Sequence, residues 1–344
     1  MWVDRVKRKV SRYLSTLAGV DHRLSLQLDL TNSCNLKCSH CYHPHHSNKG
    51  AIGTSEWLEI IGQYSELLDL LNLRPKIILC GGEPLLSRNL RPVATQLFSI
   101  WPEVEVTVLT NGTVTPKRAL EVFENRHVEF QVSLDAPDPD SHDLIRGKGN
   151  FQKSIEGIKT LKEEGFGVSI LSVLSTGSAH RIKDFFLLAK HLGTSQNFTR
   201  LIAHPHSTSG HRPLLPLELK KAYFDIVKYS HVYNVRTNTN EALFRLIHKD
   251  LGAHGGMGFQ GLTIDYKGNL KISSRVDLVV GNVLKESLQD LFLNNEIFNS
   301  LRSGNIEVCG ECRYFSRCGG NRNAAYMQNG NILAHDPGCW LGID

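Results

Sequence analysis

The chain has 344 residues, with 39 Lys and Arg against 34 Asp and Glu for a net charge of +5, and eight cysteines. At 41% hydrophobic and 21% charged it has ordinary globular composition, long enough for one large domain with an extension or for two domains. No apolar run reaches the roughly 18 residues of a membrane span, and cysteines are too few for a disulfide-built secreted fold.

The charge is unevenly placed. Residues 1–23 hold six basic groups (Arg5, Lys7, Arg8, Lys9, Arg12, Arg23) against Asp4 and Asp21, so this segment carries +4 and the rest nets +1. A basic face of the kind nucleic acid requires is not expected. Val3, Val6, Val10, Leu14 and Leu17 recur at helical spacing. Residues 1–22 therefore read as a basic amphipathic helix, docked on the body or touching a membrane surface or leader peptide. Met1–Arg23 lacks the apolar stretch of a secretion signal.

From residue 24 the pattern alternates. Leu24 to Leu30 alternates apolar and polar residues with period two and predicts a strand. A loop with Cys34, Cys38 and Cys41 follows, spaced C-x3-C-x2-C, then a helix over 54–71. Lys76–Cys80 reads as a short buried strand running into Gly81-Gly82-Glu83-Pro84. Two glycines let backbone approach a ligand closely, and the glutamate with free backbone groups can take an ammonium. Further strands are predicted near 104–109, 127–133, 166–173 and 198–203, with helices near 89–99, 115–125, 151–164 and 180–192. Thr115-Pro116 reads as an N-cap with proline at the first helical position. Alternation of this kind predicts a parallel sheet, and six units predict an open, partial (β/α)6 barrel with its site at the C-terminal strand ends.

Residues 204–211 are polar and turn-rich, either an exposed loop or one side of a substrate mouth. Residues 216–252 read as two bridging helices, Gly261–Ile272 as a β-hairpin turning at Lys267-Gly268-Asn269, and 286–301 as helical. The tail holds Cys309, Cys312 and Cys318 in C-x2-C-x5-C, followed by Cys339.

The eight cysteines thus split into three, four and one. Four thiols suit a closed tetrahedral zinc or a four-thiolate iron–sulfur cluster equally well. Three thiolates on a four-iron cluster leave one iron open to bind a small molecule. Cys80 is left over. It reads either as a small buried hydrophobe or as a hydrogen-atom donor at a strand end beside Gly81-Gly82.

The strand, the C-x3-C-x2-C loop and the GGEP motif together resemble the radical S-adenosylmethionine (SAM) superfamily. Thr110-Asn111-Gly112, the strand Val128–Asp135 (VEFQVSLD) and His142-Asp143-Leu144-Ile145-Arg146 resemble later motifs of that family, in order. The resemblance covers roughly residues 22–205. It implies a [4Fe–4S] cluster on Cys34, Cys38 and Cys41, with SAM chelating the open iron through its amino and carboxylate groups. It further implies that Gly81, Gly82, Glu83 and Pro84 hold the methionine amino group. Ser133 would hold the carboxylate, Asp135 would lie near the ribose and His40 against the adenine. Asn111 and Arg146 join these as cofactor-binding candidates, though Ser133 and Arg146 also read as ordinary strand-end and helix-cap residues. Reductive cleavage of SAM would give a 5′-deoxyadenosyl radical that abstracts hydrogen from a substrate.

The C-terminal part resembles the SPASM or twitch extension of radical SAM enzymes. A full SPASM domain has seven cysteines for two clusters. Here Ser273 and Arg322 stand where that pattern has cysteines, while Cys309, Cys312, Cys318 and Cys339 are kept. The resemblance therefore implies a single auxiliary [4Fe–4S] cluster, fully ligated by cysteine. The segment around Gly319–Arg322 and Asp336–Trp340 also resembles radical SAM proteins of haem maturation. The expected organisation is an N-terminal segment 1–22, a core barrel 23–215, bridging helices 216–255 and an auxiliary-cluster domain 256–344.

The substrate class implied is a ribosomally synthesised peptide, modified by epimerisation, crosslinking or dehydrogenation. With so few residues before the barrel, a separate leader-binding domain there is not expected. A small molecule, such as an antibiotic sugar or a tetrapyrrole side chain, is the alternative within the family. A zinc-stabilised binding protein is the alternative outside it. An electron donor such as flavodoxin or ferredoxin is implied as a partner. Iron–sulfur chemistry and unpaired cysteines imply a reducing cytoplasm.

Overall fold

The computed structural model describes residues 22–43, 46–239, 241–253 and 260–341. The helix expected within residues 1–22 lies outside the described residues, apart from His22.

Six parallel strands follow in sequential order across one sheet: β1 (Arg23–Asp29), β2 (Arg74–Cys80), β3 (Val106–Thr110), β4 (Val128–Ser133), β5 (Gly167–Leu174) and β6 (Ser195–Arg200). The connecting helices are α1 (Thr54–Leu71), α2 (Leu90–Ile100), α3 (Lys117–Leu120), α4 (Pro139–Arg146), α5 (Asn150–Glu163) and α6 (Ile182–Leu192). β1 does not pair with β6, so the sheet stays open as a partial barrel. Leu24, Leu26 and Leu28 are fully buried on one face of β1. The alternate residues Gln27 and Asp29 face the other way, where the strand ends converge.

Two departures concern helix length. The helix expected over 115–125 shrinks to α3 and a 3-10 turn, Glu121–Phe123. Pro116 has an extended ψ of 118° and itself occupies the cap position, so the helix starts one residue later. Asn125, at φ 57°, then turns the chain towards β4. The second helix expected within 216–252 is also absent among the described residues. A single helix, α7 (Pro216–Tyr233), ends at Asn234 in the left-handed region with φ 51°, and only a 3-10 turn, Ala242–Leu246, follows. β6 ends at Arg200, earlier than expected, which leaves Leu201 and Ile202 beyond the strand as cavity wall.

The hairpin forms from β7 (Gly261–Ile264) and β8 (Asn269–Lys271), with a further strand β9 (Val279–Asn282). β7 pairs in parallel with β1, Ser25 opposite Gly261 through Leu28 opposite Ile264. The C-terminal part thereby continues the barrel sheet. The helical stretch expected over 286–301 is two helices, α8 (Leu288–Asn294) and α9 (Glu296–Ser303). Asn295 breaks them with ψ 135°, and its side chain caps the second by accepting from the Ile297 amide at 2.9 Å. The last helix, α10 (Arg322–Asn329), is capped by Asn321, which accepts from the Ala324 amide at 3.0 Å.

Candidate active site

The C-terminal ends of the strands enclose a cavity of about 300 Å³. Cys34, Cys38 and Cys41 line it, and so do His40, Cys80, Gly81, Gly82, Asn111, Ser133 and Arg146. Glu83 and Pro84 do not reach it. They lie buried behind the glycines.

Close packing fixes the glycine strand end. The Gly81 backbone has φ 122°, and a Cβ there would stand 2.2 Å from the Thr31 carbonyl oxygen. A Cβ on Gly82 would stand 2.2 Å from that of Ser33. The glycine pair thus lies flat against the start of the cysteine loop, with the Gly82 amide donating to Thr31 O at 2.7 Å and the Glu83 amide to Ser33 O at 2.9 Å. Only glycine permits this approach.

Glu83 works as a brace. Its carboxylate accepts from the Thr110 hydroxyl at 2.7 Å, the Asn111 amide at 2.8 Å and the Leu85 amide at 3.2 Å. Burial pushes its carboxyl up to about 7 despite these bonds. The next stretch is anchored from the other side. Ser154 donates to Asn111 O at 2.8 Å, and Gly157 of α5 packs on Gly112, where a Cβ would come within 1.9 Å of the Gly112 oxygen. Asn111 so held donates to Asn35 at 2.9 Å and reaches the Cys34 sulfur at 3.8 Å.

Asp135 lies behind the cavity wall and is fully buried. Its Oδ2 accepts from Arg146 Nε at 2.6 Å and its Oδ1 from the Val173 amide at 3.0 Å, and His40 Nε2 lies 3.3 Å from Oδ2. Burial alone would raise its carboxyl. Arg146, His40 and His142 outweigh that and hold it at about 2. Burial lowers the His40 imidazole, while the neighbouring Asp135 carboxylate pulls it the other way. The other end of the Arg146 guanidinium, Nη1, stands 4.0 Å from the Cys38 sulfur.

Each thiol of the first group therefore has an N–H donor. Cys34 accepts from the Leu36 amide and Cys41 from the His43 amide, both at 3.4 Å, while Cys38 has Arg146. Burial pushes the Cys34 thiol up to about 11 and raises those of Cys38 and Cys41. Such sulfurs ionise readily only with a metal to share the charge. Three convergent thiols, N–H donors already directed at their sulfurs and an adjoining cavity with a bare glycine wall fit an iron–sulfur cluster and a bound SAM.

Several cavity residues were not singled out from sequence. Tyr42 places its hydroxyl 3.9 Å from the Cys80 sulfur, and Cys80 itself is 4% exposed. Gln27 was signalled only by the polar side of the β1 alternation. Ser274 and Arg275 come from the turn after β8, and the unforeseen β1–β7 pairing brings them in. The 204–211 loop folds over the cysteine loop: Thr208 donates to Ser39 O at 2.7 Å, and His206 Nε2 lies 2.8 Å from Cys41 O. His204 lines the cavity beside Tyr42 and His43, and burial holds both imidazoles at about 4.

A second, small cavity is lined by Cys309, Cys312, Cys318 and Cys339 with Leu243, Leu246, Tyr314 and Phe315. Burial pushes the Cys318 thiol up to about 12 and raises that of Cys339. Among the described residues no three His, Cys, Asp or Glu side chains close around a single metal ion. Both cysteine groups instead stand around open space.

Comparison with known proteins agrees with this geometry. Residues 28–189 match the family model of the radical SAM superfamily. The chain is 25% identical to the AdoMet-dependent heme synthase of Nitratidesulfovibrio vulgaris, over 90% of each chain. It is 27% identical to the mycofactocin maturase MftC of Mycobacterium tuberculosis, over 94% of this chain and 84% of that one. Among solved structures, Streptococcus suis SuiB bound to S-adenosylmethionine superposes with a TM-score of 0.75 at 17% identity, over 97% of this chain and 81% of that one. SuiB bound to its precursor peptide SuiA superposes equally well.

Proposed function

Because this chain belongs to the radical SAM superfamily and is a SAM-dependent enzyme, we propose that it modifies a ribosomally synthesised peptide at an unactivated carbon. The modification is an epimerisation, a crosslink or a dehydrogenation. When bound, a [4Fe–4S] cluster and SAM would supply the chemistry, reductive cleavage of SAM to a hydrogen-abstracting 5′-deoxyadenosyl radical.

The chain's own residues hold and shield that chemistry. Cys34, Cys38 and Cys41 ligate the cluster. Gly81 and Gly82 offer backbone to the methionine end of SAM, while Ser133, Asn111 and Arg146 offer polar groups from the facing strands. His40 closes the adenine side. Glu83, Pro84 and Asp135 act from behind, fixing the strand ends. The 204–211 loop narrows the mouth and excludes water.

The observation that carries this reading is the single cavity in which the three thiols meet the Gly81-Gly82 backbone, Ser133 and Arg146. A peptide substrate is supported by the likeness to the mycofactocin maturase and to SuiB, which was solved with its precursor peptide. We assign Cys309, Cys312, Cys318 and Cys339 to one auxiliary [4Fe–4S] cluster. The auxiliary domain covers residues 256–344, beside a core of 23–215 and a bridge of 216–255. A flavodoxin or ferredoxin in a reducing cytoplasm is the proposed electron source. No described helix is long and apolar enough to cross a membrane.

A second reading, a tetrapyrrole substrate, is favoured by the match to heme synthase over 90% of both chains. The anaerobically reconstituted enzyme, reduced with dithionite, separates the two. It is given SAM with either a short peptide encoded beside its gene or a porphyrin bearing carboxylate side chains. A mass change in the peptide alone supports the first reading, and a change in the porphyrin alone replaces it with the second.

A further inference from the structure

Arg322 carries one of the largest fully buried side chains among the described residues and is 0% exposed. Its Nη1 donates to the carbonyl oxygens of Ile332 at 3.2 Å and Ala334 at 2.6 Å, and its Nη2 to the Cys309 sulfur at 3.8 Å. Among the described residues it forms no ion pair with a carboxylate. Arg200, nearly as deeply buried, shows the usual remedy, with Asp336 at 2.7 Å and Glu241 at 3.5 Å. Asp336 flanks the same Gly320 space, but its carboxylate is bonded to Arg200 and to the Asn321 and Gly338 amides, and a buried guanidinium without a directly bonded counter-charge is strongly disfavoured. Two carbonyl dipoles do not neutralise it.

The sulfur contact says where the missing charge belongs. Cys312 accepts from the amide two residues on, that of Tyr314, at 3.5 Å. Cys318 accepts from that of Gly320 at 3.4 Å, and the Leu341 amide serves Cys339. Cys309 is the exception and takes its donor from the Arg322 side chain. Gly320 makes room for it, since a Cβ there would stand 2.3 Å from Nη2. Arg322 also stands four residues after Cys318, where the SPASM pattern has a cysteine. A cation thus stands at the position where that pattern has a ligand, and it is directed at Cys309.

We propose that Arg322 is the built-in counter-charge of an auxiliary [4Fe–4S] cluster on Cys309, Cys312, Cys318 and Cys339, and that it raises the reduction potential of that cluster through its bond to the Cys309 thiolate. The proposal rests on the reading of these four cysteines as cluster ligands. Four thiolates make the centre anionic, and reduction adds a further negative charge. A fixed cation and an N–H···S bond both stabilise the reduced form. Arg322 is a positioning and tuning residue that touches no substrate.

The test uses the full chain with Cys34, Cys38 and Cys41 changed to Ala, so that only the auxiliary centre remains, titrated electrochemically and followed by EPR. In this background Arg322→Gln should lower the reduced-to-oxidised ratio at fixed potential by about tenfold, which is 59 mV for a one-electron couple. Arg322→Lys should retain most of the wild-type potential. Pulsed EPR of the reduced centre in ¹⁵N-arginine protein should show a nitrogen coupling that Arg322→Lys abolishes. That measurement also decides the matter should Arg322→Gln fail to hold a cluster. An unchanged potential in Arg322→Gln, or a coupling that is absent or survives in Arg322→Lys, overturns the proposal. Protein that binds zinc or no metal at the four cysteines overturns the cluster assignment, and the proposal with it.

Discussion

The Cys80 sulfur and the Tyr42 hydroxyl lie 3.9 Å apart in the wall of the thiol cavity. Cys80 ends β2, directly before the Gly81-Gly82 backbone, and lines that cavity; we propose that it donates a hydrogen atom to the substrate radical. Burial keeps it protonated, raising it far above an ordinary thiol. Such an S–H can hand a hydrogen atom to a carbon radical, and one electron and one proton from the external donor then restore the thiol. Cys80→Ala should leave 5′-deoxyadenosine formation unchanged and abolish deuterium transfer from D2O into the product. Tyr42→Phe should slow that transfer without affecting SAM cleavage. Undiminished deuterium in the Cys80→Ala product would leave Cys80 a packing residue.

Glu83 predicts a pH dependence. Its folded carboxyl sits at about 7, above the ordinary 4.5. Between those values the native chain holds a proton that the unfolded chain has lost, so stability falls as pH rises. The contribution is on the order of 3 kcal/mol. Glu83→Gln should remove this slope, seen by denaturant unfolding at pH 5 and 7.5. Its amide cannot accept from both Asn111 and Thr110, so the variant should also lose about 1–3 kcal/mol at pH 5. A variant with the wild-type slope would contradict the assignment.

The Asp135–Arg146 pair predicts the opposite sign. Asp135, held at about 2 against an ordinary 3.8, contributes stability above pH 3.8 that disappears as pH falls through 2. Arg146→Met leaves that carboxylate buried with the Val173 amide, His40 and His142 but no guanidinium, and should cost about 3–5 kcal/mol at neutral pH. Part of the loss should return on acidification to pH 4–5, as Asp135 takes up a proton. Equal destabilisation at both pH values would show that the ion pair is not the cause.

Gly82→Ala tests the close approach. Its Cβ would meet the Ser33 oxygen at 2.2 Å, and Ser33 immediately precedes Cys34. The cysteine loop must move, at about 1–3 kcal/mol, and SAM affinity should fall at least tenfold by equilibrium dialysis. Wild-type affinity would show that the glycine wall does not position SAM.

Much of this was legible from the chain. Period-two alternation in β1 and the thiol spacing placed Cys34, Cys38 and Cys41 at a strand end, and Gly81 and Gly82 of the GGEP motif line the same cavity as those thiols. What stayed hidden depends on long-range contacts. Nothing local in Gly261–Ile264 indicates that it pairs in parallel with β1, so Ser274 and Arg275 could not be placed in the cavity. Glu83 reads like a ligand-binding carboxylate, yet its bonds to Thr110 and Asn111 make it a brace. Asn234 and Asn125 end helical patterns because they adopt left-handed backbone, which hydrophobic periodicity does not register. Arg322 is visible in sequence only as a missing cysteine. Its burial against Cys309 appears once the fold is built.

The central claim is that the three thiols of the barrel and the four of the tail hold two separate clusters, only the first of which cleaves SAM. Iron content and 5′-deoxyadenosine formation, measured together on anaerobically reconstituted wild type and Cys34→Ala, test it most directly. The wild type should be brown, carry about eight irons and form 5′-deoxyadenosine on reduction with dithionite. Cys34→Ala should keep about four irons and form none. A colourless zinc protein, or undiminished SAM cleavage in Cys34→Ala, would contradict the account.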